Sequence, residues 1–439
     1  MHWKEAYQQK LCTANEAVSA GIHSGDRVVF GHGACEPEIL VKAMIDNKAA
    51  YSDITVSQMV SASPAATTLP ENSDVFRYEG WFTGAYATKA IQEGRADYVP
   101  IFFHEIPKMI RSGVFRVDVA MITVSRPDEH GYVSLGVSSD YTMQAVKSAR
   151  TVIAEVNDQC PYTYGETFIP VEELDYIVET SRPLPEMPPV PVTPVAEAVA
   201  KNVASLIKDG DNLQLGIGAI PEATLAQLGD RKHLGIHSEM ISDGVVDLYN
   251  KGAIDCSRKT LDNGKMVIGF IIGTKKLYDF ADHNPAIELR QIDYVNHPEV
   301  VAQLNDMVCI NSCVQVDLLG QIASESIGPK LISGVGGQVD FVRGARDSHD
   351  GKGRAIIAMP SVLEKKDGTR ISKIVPELDE GAAVTTSRND ADYLITEYGI
   401  AHLTGRTMRD RARLLIGIAH PDFREGLIKS FEERFKTKY

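Results

Sequence analysis

One phrase occurs twice in this chain, and it fixes most of what the chain can fold into. The first copy reads Gly25-Asp26-Arg27-Val28-Val29-Phe30-Gly31-His32-Gly33-Ala34, followed by Pro37-Glu38. The second reads Gly210-Asp211-Asn212-Leu213-Gln214-Leu215-Gly216-Ile217-Gly218-Ala219, followed by Pro221-Glu222. Each copy is a turn, a short apolar strand, a glycine loop, and a helix with proline near its first turn. Copies this far apart are not solenoid units. They predict an α/β protein made of two related open α/β domains in tandem. Between them, Pro183 to Thr193 is rich in proline and ends at Pro194, the signature of a stiff, extended connector. The expected division is residues 1–182, a linker over 183–194, and residues 195–439. A length of 439 residues fits a prior of about two or three domains.

Composition narrows the function. A net charge of −14 argues against a nucleic-acid or anionic-membrane binder. It leaves an anionic small substrate open, because a local basic patch can override the global field. Six cysteines (Cys12, Cys35, Cys160, Cys256, Cys309, Cys313) in so long a chain do not form a disulfide framework. Their spacing carries no metal-site signature, so core thiols are expected. No apolar leader opens the chain, and runs such as Met266 to Gly273 are too short to span a bilayer. A cytoplasmic protein without membrane contact is the expectation.

In chain order, residues 3–20 have helical periodicity, and Val117 to Val124 has the pattern of a buried strand. His104, Glu105 and His130 could form an acid/base set. Nothing in the sequence ties them together, and structural or channel roles are the better expectation. The helix after Thr407, with Arg409, Arg411 and Arg413, reads as a solvated face.

Four features carry chemistry. The loop Gly216-Ile217-Gly218-Ala219-Ile220 follows a strand and precedes a helix, so its backbone N–H groups can meet an anion. It lacks the third glycine of a dinucleotide fingerprint and the lysine of a P-loop, so NAD and ATP are poorly supported. The run Ser333-Gly334-Val335-Gly336-Gly337-Gln338 permits close approach of a ligand to the main chain, with Arg343 and Arg346 expected near the same face. Asn311 is a polar side chain in an apolar strand. Finally, Gly235-Ile236-His237-Ser238-Glu239-Met240 reads as a strand over 234–237 entering a turn that carries an acid, with Asp243-Gly244 as a further turn signal. Acids just past strand ends lie where open α/β sheets bind ligands. In the first copy Ile54 to Met59 occupies the same place. Setting Met59 on Met240 puts Gln58 on Glu239, with a slip of one allowed. Only the second copy then carries an ionisable group, and one catalytic centre per chain is expected.

Taken together, Gly-Ile-Gly-Ala-Ile-Pro (216–221), Gly-Ile-His-Ser-Glu-Met (235–240), Gly-Val-Gly-Gly-Gln-Val-Asp-Phe (334–341) and Glu-Tyr-Gly (397–399) resemble the acetyl-CoA hydrolase/transferase family. Within it, the chain looks most like 4-hydroxybutyrate and butyryl-CoA:acetate CoA-transferases. The resemblance implies two CoA-transferase-like domains of the NagB/RpiA type. It implies CoA exchange between short-chain acyl-CoA and carboxylic acids by ping-pong chemistry through a glutamyl-CoA thioester. It places the nucleophile at Glu239 and the oxyanion donors at Asn311 and Gly336. CoA contacts then fall at Gly216, Ile217, Gly218, Ala219, Ile220, Gly336 and Gly337. It implies coenzyme A as co-substrate, no metal, and small molecules rather than nucleic acid as partners. A homodimer is expected on base rates alone. The alternatives are an acyl-CoA hydrolase on the same scaffold and a non-catalytic CoA-binding protein. An acid rather than an amide at position 239 speaks against the latter.

Overall fold

The computed structural model describes residues 3–61 and 66–439. Two compact units emerge, and each is discontinuous in sequence. The first comprises residues 1–188, 239–241 and 265–296; the second comprises 189–238, 242–264 and 297–439.

The first unit holds a fully parallel sheet. Its strands run in the order Ala96–Tyr98, Phe76–Gly80, Ile54–Gln58, Arg27–Phe30, Val119–Val124, Thr151–Asn157, Tyr176–Thr180. Val119–Val124 and Thr151–Asn157 are buried along their whole length. That is the continuous burial that a sheet covered on both faces demands. Ala17, Val18, Leu40 and Met44, from helices Ala14–Gly21 and Glu38–Asp46, join Val28, Phe30, Val56 and Ile153 in one core. The expected continuous N-terminal helix is in fact two, Trp3–Lys10 and Ala14–Gly21. Thr13 breaks it by forming a capping box with Glu16, which satisfies the backbone donors of a new helix start.

In the second unit, strand Gly235–Ile241 pairs through its first residues with Asn212–Leu215. Met307–Asn311, Arg354–Ala358 and Tyr393–Thr396 follow, all parallel, and Gly399–His402 closes the edge antiparallel. Helix Pro194–Ala204 begins at the end of the connector, where Thr193 accepts from Ala196 N and Pro194 takes the first turn.

The repeated Gly-Asp has a structural purpose. In the first copy the Asp26 carboxylate accepts from His23 N at 2.7 Å and from both terminal nitrogens of Arg150 at 3.0 and 2.8 Å. In the second, Asp211 accepts from Lys208 N at 2.7 Å and from Arg354 at 2.7 Å. Each aspartate closes its turn and clamps an arginine at the start of the strand two places along its sheet. Such charge-assisted contacts are among the stronger hydrogen bonds.

The registers also align the two copies. Val28 pairs with Val56, and Leu213 pairs with Ile236. With Val28 set on Leu213, Met59 and not Gln58 is the counterpart of Glu239, the slip of one that the sequence allowed. Methionine cannot act as a nucleophilic carboxylate, so the inequality between the copies is unchanged.

Candidate active site

Glu239 lies within its strand, which continues through Ile241; it does not lie in a turn. Asp243 likewise opens a helix, Asp243–Asn250, behind Ser242 as N-cap. Gly244 is needed there for close helix packing: a Cβ would sit 2.9 Å from Leu225 Cδ1. Along Gly235–Ile241 every residue is buried except Glu239, which is partly exposed.

In the first unit the Glu239 carboxylate accepts a hydrogen bond from Asn296 Nδ2 at 2.9 Å. Asn296 is fully buried and ends the short helix Ile292–Val295. That helix is anchored where Ile292 N donates to Asp140 O at 3.1 Å. Gly269 allows the segments to approach: a Cβ there would meet Glu239 O at 3.2 Å and Ile292 Cδ1 at 2.7 Å. Asp140 in turn accepts from Ser138 Oγ, Tyr141 N and His32 Nδ1, the last at 2.8 Å. A carboxylate so placed accepts from the proton-bearing Nδ1 of the ring. His32 is buried among Phe103, Tyr141 and Phe270, with ring centroids 5.9, 5.7 and 4.4 Å away, and among the described residues its Nε2 has no partner.

The second unit carries the glycine loops. Gly216 to Gly218 leads into helix Ala219–Ala226, with Gly218 at φ 124°, a conformation that side chains rarely adopt. Gly336 has φ 53°, and Gly337 is the N-cap of helix Gln338–Arg346. Both helices run back against parallel strands, so their N-termini and both loops lie at the carboxyl edge of that sheet. This is the edge where open α/β folds take ligands. The Ile217 side chain is 46% exposed at the tip of its loop. Asn311 is at the same edge, its Nδ2 donating to Gln214 Oε1 at 3.1 Å. Arg343 and Arg346 are at the far end of their helix from Gly336. Arg343 faces Asp390 and Arg346 donates to Asn389 O, so neither is on the glycine-loop face. Arg411 is buried and donates to Arg388 O, unlike the solvated side chain expected of it.

The structure does not join the histidines considered as an acid/base set to one another. His130 is exposed beside Glu129 on the Asp128–Tyr132 turn, and His104 stacks on Phe102 at 6.2 Å. Two clefts in the first unit, of about 450 and 830 Å³, are lined by other residues and not by Glu239. Among the described residues no group of three or more His, Cys, Asp or Glu is placed to hold a metal ion, and no helix is long and apolar enough to cross a membrane. Five of the six cysteines are buried and all are free thiols.

Two open α/β units, one holding a strand-borne glutamate on a buried amide and the other presenting two glycine loops at strand ends, define a class. The chain belongs to the acetyl-CoA hydrolase/transferase family, whose N-terminal domain matches residues 1–191 and whose C-terminal domain matches residues 273–431. Among its relatives, it is 53% identical over 435 residues to the 4-hydroxybutyrate coenzyme A transferase of Clostridium kluyveri, covering 99% of this chain and 100% of that one. It is 38% identical to the butyryl-CoA:acetate CoA-transferase of Anaerostipes caccae, over 99% of this chain and 98% of that protein. A crystal structure of 4-hydroxybutyrate CoA-transferase from Porphyromonas gingivalis matches 99% of this chain and 100% of that one with a TM-score of 0.84 at 42% identity.

Asn296 was not legible as a site residue. It stands in Tyr294-Val295-Asn296-His297-Pro298, which reads only as a helix ending ahead of a proline. His32 was visible as part of the first glycine loop, but its carboxylate partner, Asp140, is far away in sequence.

Proposed function

We propose that this chain transfers coenzyme A between a short-chain acyl-CoA and a carboxylic acid through a thioester on Glu239. The carboxylate attacks the thioester carbonyl; a C–O bond forms, the C–S bond breaks, and CoA leaves as the thiolate. The thiolate then attacks the glutamyl carbonyl of the resulting anhydride, giving glutamyl-CoA and the free acid. An incoming carboxylate reverses both steps. A carboxylate is ionised at neutral pH and needs no general base or metal. The chemistry therefore depends on donors to the tetrahedral oxyanions. We assign Asn296 Nδ2 to the oxygen on the glutamyl carbon, and Asn311 with the Gly336 N–H to the acyl oxyanion. Gly216, Ile217, Gly218, Ala219, Ile220 and Gly337 are assigned to CoA. The observation that carries this reading is the 2.9 Å bond from a buried amide to a partly exposed carboxylate on a strand.

The names of two relatives, a 4-hydroxybutyrate coenzyme A transferase and a butyryl-CoA:acetate CoA-transferase, support four-carbon acids as partners. We further propose that the enzyme works in the cytoplasm as a homodimer, the commonest closed assembly.

The test is a panel of 4-hydroxybutyryl-, butyryl-, propionyl- and acetyl-CoA, each assayed with and without acetate. Acyl exchange that requires the acceptor acid, and that disappears in Glu239→Gln, is expected. Thiol release at the same rate without acceptor identifies a hydrolase and overturns the transferase reading.

A further inference from the structure

The carboxyl edge of the second unit's sheet carries a side-chain cluster that the exchange reaction does not use. Cys313, Ser361 and Glu397 each follow one of three neighbouring strands, Met307–Asn311, Arg354–Ala358 and Tyr393–Thr396. Lys373 joins them. Its backbone N donates to Ser361 O at 2.9 Å, and its carbonyl accepts from Val316 N at 2.8 Å. The pairing of Val316 with Ile374 sets Lys373 beside Gln315, two residues beyond Cys313. Glu397 would be the natural counter-ion, but Ser361 engages both of its oxygens, through N at 2.9 Å and Oγ at 2.6 Å. The lysine is partly buried, and among the described residues its Nζ has neither a hydrogen-bond acceptor nor a carboxylate within ion-pair range. By contrast, Lys42 is paired with Asp46, Lys275 with Asp279, and the buried Lys259 with Ile236 O.

We propose that Lys373 is a site of acylation by the acyl-CoA that this enzyme binds. The inference rests on the exchange reading for its supply of acyl-CoA and on nothing else in it. The neutral amine attacks the thioester carbonyl. A C–N bond forms, the C–S bond breaks with its electrons going to sulfur, and the proton lost from nitrogen ends on the CoA thiolate. The products are an N-acyl lysine and free CoA, and no further reactant is required. An ammonium held in an ion pair resists deprotonation; one without a counter-ion, at the carboxyl edge of the sheet that carries both glycine loops, gives up its proton more readily and so exposes its lone pair. Burial also holds this ammonium below the usual lysine value, against the opposing pull of Cys313 and Glu397, which enlarges the neutral fraction near physiological pH. Acylation removes a positive charge and adds apolar bulk at that edge.

The experiment incubates the full-length enzyme with butyryl-CoA and no acceptor acid between pH 7 and 9, and follows butyrylation of each lysine by peptide mass spectrometry. Lys365 and Lys366, exposed on the turn of the adjoining hairpin, serve as internal references. Lys373 is expected to be acylated severalfold faster than either, and to reach its maximal rate at a lower pH. Acylation of Lys373 no faster than the references overturns the proposal. The same measurement on Glu239→Gln separates the two readings. Modified Lys373 in a variant without exchange supports direct aminolysis. Wild-type enzyme that exchanges CoA yet leaves Lys373 unmodified sinks this proposal and leaves the exchange reading standing.

Discussion

A single amide distinguishes Glu239 from an ordinary strand glutamate. Asn296 is fully buried and its Nδ2 holds the carboxylate. Loss of one oxyanion donor typically costs about 10²- to 10³-fold in turnover. Asn296→Ala is therefore expected to lower kcat by that amount with a smaller change in KM for acyl-CoA, measured by steady-state exchange; an unchanged kcat removes Asn296 from the chemistry. At this scale the sequence betrayed the acid but not its partners. Glu239 stands on a strand of a repeated framework, whereas Asn296 and Asp140 are recruited from distant segments by the fold.

Among elements, the glycine loops were plain in the sequence because their backbone demands are local. Gly336 at φ 53° should tolerate no side chain without strain of about 1–2 kcal/mol. Gly336→Val is expected to lower the thermal midpoint and to raise KM for acyl-CoA. Gly368, at φ 82° with open space around it, is the control: Gly368→Val should lose comparable stability with KM unchanged. If KM responds equally in both variants, the Gly336 loop has no special role in binding. Element ends were harder to read. The strand Gly235–Ile241 runs on past its apolar start to include Glu239, and a capping box at Thr13 splits a helix whose periodicity is unbroken. The two arginines of Gln338–Arg346 were misplaced because nine residues of helix carry them to its opposite end.

Across the molecule, the repeat announced two parallel-sheet units, and the aspartate clamps show why the repeated Gly-Asp exists. What the sequence did not announce is that residues 239–241 and 265–296 belong with the first unit, since the contacts of a folded segment decide that, not a proline-rich connector. The two clamps should titrate in opposite senses. Asp26 is held below its usual value by Arg150 and the His23 N–H despite its burial, whereas burial raises Asp211 in spite of Arg354. A depressed carboxyl contributes stability above its unfolded value of 3.8 and loses it as pH falls through the lower folded value. A raised carboxyl does the reverse: its contribution is complete below 3.8 and declines as pH rises through the higher folded value. Asp26→Asn should therefore cost about 1.5–3 kcal/mol at pH 7 and less toward pH 3. The cost of Asp211→Asn should grow as pH falls from 7 to 4. Denaturant unfolding of both variants against wild type at three pH values checks the signs, and parallel slopes would contradict them. The proposed exchange requires Glu239 to carry coenzyme A as a thioester. The most direct measurement is to incubate the enzyme with acyl-CoA and no acceptor, reduce with borohydride, and map the peptides by mass spectrometry. Reduction confined to the peptide containing Glu239, and absent without acyl-CoA, is expected; an active enzyme with that peptide unaltered would rule out a thioester on Glu239.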